Sequence, residues 1–408
     1  MKPVGPIPPG FATLAGELAI GGRTARELAG MAGDTPFFAY SRGLVDQRIA
    51  ALRAAMPDRL RLHYAVKANP FAPLLAHLAG AVDGFDVASA GELRQVLAAG
   101  AEAHGISFAG PGKRDEDIEA AIARGVALNL ESEGEAARAL AMGERLGVRP
   151  RLAIRVNPEF ELRGSGMKMG GGAKPFGVDE ARVPALARAV IDAGAEWRGL
   201  HIYAGSQALD AGAVIEAQAN TLDCAARLTR AIGHELPHLN MGGGFGIPYF
   251  AKDTPLDIGA VGAALAARLA ELPEELANTE LAIELGRYLV GEAGVYVTRV
   301  IDRKQSHGTT FLVTDGGLHH QLAASGNFGT VVRRNYPVAI ATRFAAEADE
   351  IVDVVGCLCT PLDRLADQVH LPRAEPGDLV AIFCAGAYGA SASPAAFLGH
   401  GPACEILV

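Results

Sequence analysis

The sequence predicts an α/β fold: a parallel (β/α)8 TIM-like barrel followed by a C-terminal antiparallel β domain. Three observations carry this. Between residues 60 and 285, short β-prone runs alternate with Ala/Leu-rich helical stretches. The last strand run, Leu281-Ala-Ile-Glu-Leu285, is apolar apart from one residue, as strands covered on both faces are. After about residue 294 the alternation stops, and β-prone runs follow one another without long helices between them.

Taken in order, the first ten residues are proline-rich and lack an apolar core segment, so they are not expected to be a signal peptide. A helical stretch at 43–56 is placed in the outer ring. Eight strands are expected at 61–66, 84–88, 105–109, 126–130, 151–156, 198–203, 237–241 and 280–284. The helical stretches between them include 90–99, 115–124, 133–146, 179–194, 211–232 and 257–272. A doubly wound open sheet is the competing architecture. It needs a glycine-rich turn after its first strand, where Lys67-Ala-Asn-Pro70 stands instead. The β domain takes its strands from the runs beginning at Val295, Thr310, Ile351 and Leu379. The expected division is a barrel at 36–290 and a discontinuous β domain at 1–35 and 291–408.

Composition narrows the function classes. The chain has 408 residues, 50% hydrophobic and 20% charged, with a net charge of −9, which argues against a nucleic-acid binder. No apolar run approaches the roughly 18 residues needed to span a membrane, and a cytoplasmic protein is expected. The five cysteines are odd in number and scattered apart from Cys357 and Cys359, so neither a disulfide framework nor a zinc site is expected.

In a barrel of this kind, residues at the C-terminal ends of the strands face the active site. Strand one ends at Lys67, a candidate for a Schiff-base amine. Strand two carries Asp86 and runs to Ser89 and Glu92. Strand five ends in Arg155-Val-Asn157, and strand six is His201-Ile-Tyr203-Ala-Gly-Ser206. Strand seven runs into Gly242-Gly243-Gly244, whose backbone N–H groups suit an anion because no Cβ blocks its approach. Strand eight ends in Glu284-Leu-Gly286-Arg287. A carboxylate on a buried strand needs a partner, either a protonated pyridine nitrogen or an arginine such as Arg155. A lysine amine, an anion nest and a buried carboxylate are together what a protein supplies to pyridoxal 5'-phosphate.

These residues resemble the fold-type III pyridoxal-phosphate decarboxylases, the diaminopimelate and ornithine decarboxylase family. Six motifs in order carry the resemblance over nearly the whole chain: Tyr64-Ala-Val-Lys67, Phe85-Asp86-Val-Ala-Ser89, Gly242-Gly-Gly-Phe-Gly246, Glu284-Leu-Gly-Arg287, Gly356-Cys-Leu-Cys359 with Asp363, and Gly386-Ala-Tyr388-Gly. The resemblance implies an alanine racemase/ornithine decarboxylase-like fold with a C-terminal antiparallel β-barrel, and a cytoplasmic homodimer with shared active sites. It implies that Lys67 holds the cofactor and that Glu284 pairs with the pyridinium. Gly243, Gly244, Gly286, Arg287, Ser206 and Tyr388 would contact its phosphate, and Asp86, Arg155, His201 and Tyr203 would line its pocket. Cys359 would reprotonate Cα from the partner subunit.

The chain also departs from the family pattern. The ring-stacking histidine is Tyr203 here, and the proline of the Glu-Pro-Gly-Arg motif is Leu285. Relatives acting on diamines carry an acid directly after the catalytic cysteine, where this chain has Thr360. The glycine-rich segment from Arg163 to Lys174 adds the positive charges Arg163, Lys168 and Lys174 without an acid. Both features point to a substrate whose distal end is neutral or anionic. The segments 166–172, 317–329 and 397–400 resemble a subgroup from exopolysaccharide, siderophore and butirosin pathways, one of which decarboxylates a glutamyl group on a carrier protein. Arg287, Thr360, His319, His320 and Arg334 are then candidates for substrate contact. A decarboxylase of an amino acid or an amino-acyl conjugate in specialised metabolism is expected, the conjugate being either carboxylate-rich or tethered to a carrier protein. The alternatives are diaminopimelate decarboxylase, a racemase or epimerase on the same fold, and an inactive relative that only binds.

Overall fold

A computed structural model describes residues 1–162, 164, 166–325 and 334–408, without the side chains of residues 167 and 168. It divides into two units. One comprises residues 49–246 and 255–286, the other residues 1–48, 247–254 and 287–408.

The first unit holds eight parallel strands: β1 Leu60–Ala65, β2 Gly84–Val87, β3 Ile106–Phe108, β4 Ala127–Leu130, β5 Arg151–Asn157, β6 Glu196–Ile202, β7 His238–Gly243 and β8 Glu280–Leu285. Each pairs with the next, and β8 pairs with β1, so the sheet closes into a barrel. All seven residues of β5 are buried, as a strand with side chains facing the barrel interior on one side and the helical ring on the other must be. The helices Ala90–Ala98, Asp115–Ile122, Glu133–Leu146, Val183–Asp192, Ala211–Ile232 and Ile258–Ala270 fill six crossovers. A seventh, Ala72–Leu78, fills the first crossover and has only seven residues, too few for a periodic signal to stand out. Ser89, Ser132, Asp210 and Asp257 cap four of these helices by accepting a backbone N–H three residues on.

One irregularity on β6 decides which way its side chains point. Between Trp197 and Gly199 the pairing with β5 slips by one residue, leaving Arg198 as a bulge. Gly199 has φ +96°, and a Cβ there would lie 1.9 Å from the His238 carbonyl oxygen. Beyond the bulge, His201 pairs with Arg155 on one side and Asn240 on the other. A one-residue slip reverses every later side chain on a strand, so the bulge sets the inward direction of His201.

The second unit carries an eight-stranded sheet from Phe37–Tyr40, Gly294–Ser306, Thr309–Thr314, Val338–Ile340, Glu350–Val355, Arg364–Leu371, Leu379–Ile382 and Cys404–Leu407. It is mixed where the sequence suggested purely antiparallel pairing. Thr309–Thr314 runs parallel to Glu350–Val355, and Phe37–Tyr40 parallel to Cys404–Leu407. Both parallel pairs join strands far apart in sequence, where a long connection permits either direction, whereas the two-residue turn His307-Gly308, with φ +48° and +79°, forces an antiparallel hairpin. The apolar face of this sheet packs on the helix Ala25–Ala32 through Leu18, Leu28, Phe37, Val295, Val297 and Phe383, all fully buried.

Gly199→Ala is expected to destabilise the protein by roughly 2–4 kcal/mol, because the methyl group strikes backbone and the left-handed φ is lost. Urea unfolding measures this, and a change below about 0.5 kcal/mol would show that the bulge does not need glycine.

Candidate functional site

At the C-terminal end of the barrel, the β1 strand gives way to a single turn, Val66–Ala68, which presents Lys67 to solvent. The turn lies against β8: a Cβ on Gly286 would sit 2.7 Å from the Ala68 Cβ and 3.0 Å from the Ala65 oxygen. Glycine at 286 is therefore what allows the Lys67 turn to rest on the end of β8. The Lys67 ammonium lies over the Tyr203 ring, 5.3 Å from its centroid.

Below this rim is a buried polar layer. Register places Glu284 beside His63 and His201 beside Asn240. The Asn240 amide donates to Glu284 Oε2 at 3.1 Å and more weakly to Asp86 Oδ1 at 3.4 Å. Its carbonyl oxygen accepts the Gly242 N–H at 2.8 Å, so the backbone fixes the amide orientation and turns its NH2 toward the two carboxylates. His201 Nε2 is 3.1 Å from Glu284 Oε2, and His63 Nδ1 is 3.4 Å from Asp86 Oδ2. Burial by itself pushes the Glu284 carboxyl up. The adjacent His201, with the charges of Lys67 and Arg155, outweighs burial and holds it down at about 2. Glu284 is thus a buried carboxylate that stays ionised. For His63 the balance runs the same way: burial lowers its pKa, and Asp86 more than compensates, leaving it raised.

Arg155 is not the partner of Glu284 that the sequence offered as an alternative. Its guanidinium bonds Glu131 Oε1 at 3.0 Å and stacks on Phe176, 4.9 Å from the ring centroid. Glu131 also accepts the N–H groups of Gly110 and Gly177, and the buried Lys113 bonds Glu135 at 2.6 Å nearby. This network braces the ends of β3, β4 and β5. Sequence reasoning missed it, together with Asn240 and His63; the signal was a polar residue within an otherwise buried strand.

The three glycines after β7 have a packing explanation first. A Cβ on Gly243 would lie 1.9 Å from the Glu284 oxygen, and one on Gly244 would lie 2.3 Å from the Gly205 oxygen. Gly242 and Gly244 have φ +66° and +82°. Ser206 belongs to a two-residue strand, Gly205–Ser206, paired antiparallel with Met167–Lys168. Arg163, Ser165 and 326–329 of the motif segments lie outside the described residues, as does the side chain of Lys168.

In the second unit, Arg287 is half-buried between two phenol rings. Its Nη1 donates to the Tyr249 hydroxyl at 2.8 Å, its Cζ lies 4.7 Å from the Tyr388 ring centroid, and its Nε has no hydrogen-bond partner. Burial pushes the Tyr249 phenol up to about 12, so it remains neutral beside the arginine. Tyr388 has φ +56°, a left-handed conformation that a non-glycine residue holds only when its surroundings enforce it. Cys359 is exposed on a loop closed by Thr360 and Asp363. The Thr360 hydroxyl accepts the Leu362 N–H at 3.3 Å, and Asp363 accepts the N–H groups of Leu318 and Leu358 at 2.6 and 2.8 Å. Arg334 stacks on Phe250, 3.6 Å from the ring centroid. His320 uses both ring nitrogens, on the Tyr296 hydroxyl and the Gly401 carbonyl, while His319 is fully buried.

Among the described residues, no helix is long and apolar enough to cross a membrane. Comparison with known proteins gives a concordant result. The family described as pyridoxal-dependent decarboxylase, pyridoxal binding domain, matches residues 42–291. L-glutamyl-[BtrI acyl-carrier protein] decarboxylase of Niallia circulans is 37% identical over 380 residues, covering 92% of this chain and 89% of that one. Diaminopimelate decarboxylase of Methanothermobacter thermautotrophicus is 32% identical over 387 residues, covering 93% and 87%. The crystal structure of diaminopimelate decarboxylase from Helicobacter pylori complexed with L-lysine superposes with a TM-score of 0.83 at 27% identity over 94% of each chain. With the lysine turn, the ionised buried carboxylate and the barrel that positions them, these matches place the chain in the pyridoxal-dependent decarboxylases, to which it belongs.

Proposed function

We propose that this chain removes the α-carboxylate of an amino-acyl group whose distal end carries no free ammonium, presented on an acyl carrier protein. The observation that carries the reading is Thr360: the position after Cys359 is neutral, and its hydroxyl is engaged in the loop's own turn, so nothing there grips a cation. The relative from Niallia circulans, which acts on a carrier-bound glutamyl group, supports the same reading. A free diamino acid is the second reading, favoured by the relatives at 32% identity.

The residues present fit pyridoxal phosphate. When bound, the cofactor withdraws electrons from Cα so that carbon dioxide can leave. Lys67 would hold its aldehyde, and Tyr203, already lying against the Lys67 amine, would cover its ring. Glu284 would hold a proton on the pyridine nitrogen, the role for which a buried carboxylate kept ionised is suited. Asp86 and His201 would complete the pocket wall. Gly243, Gly244, Gly286 and Ser206 would contact the phosphate. Arg287, with its unpartnered Nε and flanking Tyr388, carries a charge suited to an anion. Cys359 would deliver a proton to Cα, from the partner subunit of a cytoplasmic homodimer.

The substrate reading is tested by carbon dioxide release from carrier-bound glutamyl and other aminoacyl groups, set against free diaminopimelate, lysine, ornithine, arginine and glutamate. Release from carrier-bound substrates at least about tenfold faster is expected, and turnover of free diaminopimelate alone would reverse the assignment. Lys67→Ala is expected to abolish turnover and the visible absorbance of the lysine-bound cofactor. Cys359→Ala should leave carbon dioxide release in place but lower the yield of correctly protonated amine; an unchanged yield removes Cys359 from the acid role.

Asn240→Asp tests how Glu284 is held ionised. The variant keeps the acceptor for Gly242 but turns a donor into a carboxylate oxygen facing Glu284 and Asp86. A loss of about 3–5 kcal/mol is expected at pH 7, the scale of an uncompensated buried charge. In the wild type, ionised Glu284 stabilises the fold above its unfolded pKa of 4.5, and that contribution fades as the pH falls toward about 2. In the variant the folded carboxyls are raised instead, so the stability deficit should shrink on acidification. A deficit constant with pH, read by urea unfolding, would refute this electrostatic account.

A further inference from the structure

Three side chains from separate loops of the second unit meet, among them His319, which the sequence offered for substrate contact. The Cys357 sulfur lies 3.9 Å from Nε2 and 4.0 Å from Nδ1 of His400. His319 joins them: one ligand atom from each of His319, Cys357 and His400 lies within 4.8 Å of the others, and the two imidazole centroids are 5.1 Å apart. His319 is fully buried, yet neither of its ring nitrogens has a hydrogen-bond partner. A buried imidazole with both nitrogens unsatisfied is costly unless something electrophilic occupies the space it faces.

The surroundings hold these three donors in place. Asp363 accepts the N–H of Leu318 and of Leu358, the residues next to His319 and Cys357, and so ties both loops to one carboxylate. That carboxylate fits only because residues 317 and 356 are glycine: a Cβ at either would come within 2.1 or 2.2 Å of it. His320 binds the Gly401 carbonyl, anchoring the turn that carries His400. The turn itself runs through left-handed residues, Leu398 at φ +55° and Gly399 at φ +78°. These bonds hold the three loops in register, so the donors are brought together by the backbone rather than by chance surface packing.

We propose that His319, Cys357 and His400 form a three-ligand site for a borderline-soft divalent cation of the zinc class. One thiolate and two imidazoles are the donors such an ion prefers, and three protein ligands leave a fourth position for water or another ligand. With metal–sulfur and metal–nitrogen bonds of about 2.3 and 2.05 Å, tetrahedral geometry sets the sulfur-to-nitrogen separation near ~3.6 Å. The separation of 3.9–4.0 Å between Cys357 and His400 needs a contraction of only a few tenths of an ångström. Because Cys357 precedes Cys359 by two residues, the bound ion clamps the loop that presents the exposed thiol.

The test uses the holoenzyme stripped with a chelator and dialysed against Zn2+ or Co2+. One ion per chain is expected by elemental analysis. Cobalt should give sulfur-to-metal charge-transfer absorption and the intense visible bands of four-coordination. Cys357→Ser and His400→Gln should each weaken zinc binding by more than the roughly 10–100-fold typical of outer-shell changes. His400 is exposed, so its variant keeps the fold testable, and Cys359→Ser should bind zinc like the wild type. Absence of retained zinc, unchanged binding in Cys357→Ser or His400→Gln, or loss of binding in Cys359→Ser would each overturn the proposal.

Discussion

The barrel mouth depends on a carboxylate that must be buried and ionised at once. Burial alone would neutralise Glu284, and a neutral carboxyl could not hold a proton on a basic ring nitrogen. What prevents this begins in the backbone. The Gly242 N–H claims the Asn240 oxygen, so the Asn240 NH2 has no choice but to face Glu284 and Asp86. His201 completes the set, and its inward direction follows from the bulge at Arg198, which follows from the carbonyl packed against Gly199. A glycine on one strand thereby contributes, with the charges of Lys67 and Arg155, to keeping a carboxylate two strands away ionised.

A single carboxylate plays a comparable organising part in the second unit. Asp363 bonds the loops at 318 and 358 simultaneously, and the glycines at 317 and 356 are the clearance it requires. The loop bearing Cys357 and Cys359 is consequently defined by hydrogen bonds rather than by apolar packing, which suits a segment that must keep a thiol exposed. Arg287 in the same unit is held between the Tyr249 and Tyr388 rings, and Tyr388 keeps a left-handed backbone at φ +56°.

The barrel was legible because its signal is long and repetitive: eight strands and six longer helices, four of them capped by side chains, each impose their own period, and boundaries agree within a few residues. The short helix Ala72–Leu78 escaped because two turns carry too little periodicity. The mixed sheet of the second unit was less legible, since strand direction depends on partners distant in sequence, and alternation along Thr309–Thr314 is the same for parallel and antiparallel neighbours. The glycine triplet was read as a cradle for an anion. Its first constraint is strand contact with the Glu284 and Gly205 carbonyls, a three-dimensional fact that no local pattern encodes.

Legibility of the site follows a physical division of labour. Glu284, Asn240, His201, Asp363 and His319 are buried, and a polar residue in a buried segment stands out because burial without a partner is costly. Lys67 and Cys359, the residues proposed to react, are exposed, where a lysine or a cysteine is unremarkable by any rule of packing. Only their motifs identify them. The substrate reading rests on a different kind of signal, the lack of a charge at one position. A neutral Thr360 removes the charge that would otherwise hold a small free diamine in place. Selection by tether rather than by a buried counter-ion is what the proposed reading asks of such a site.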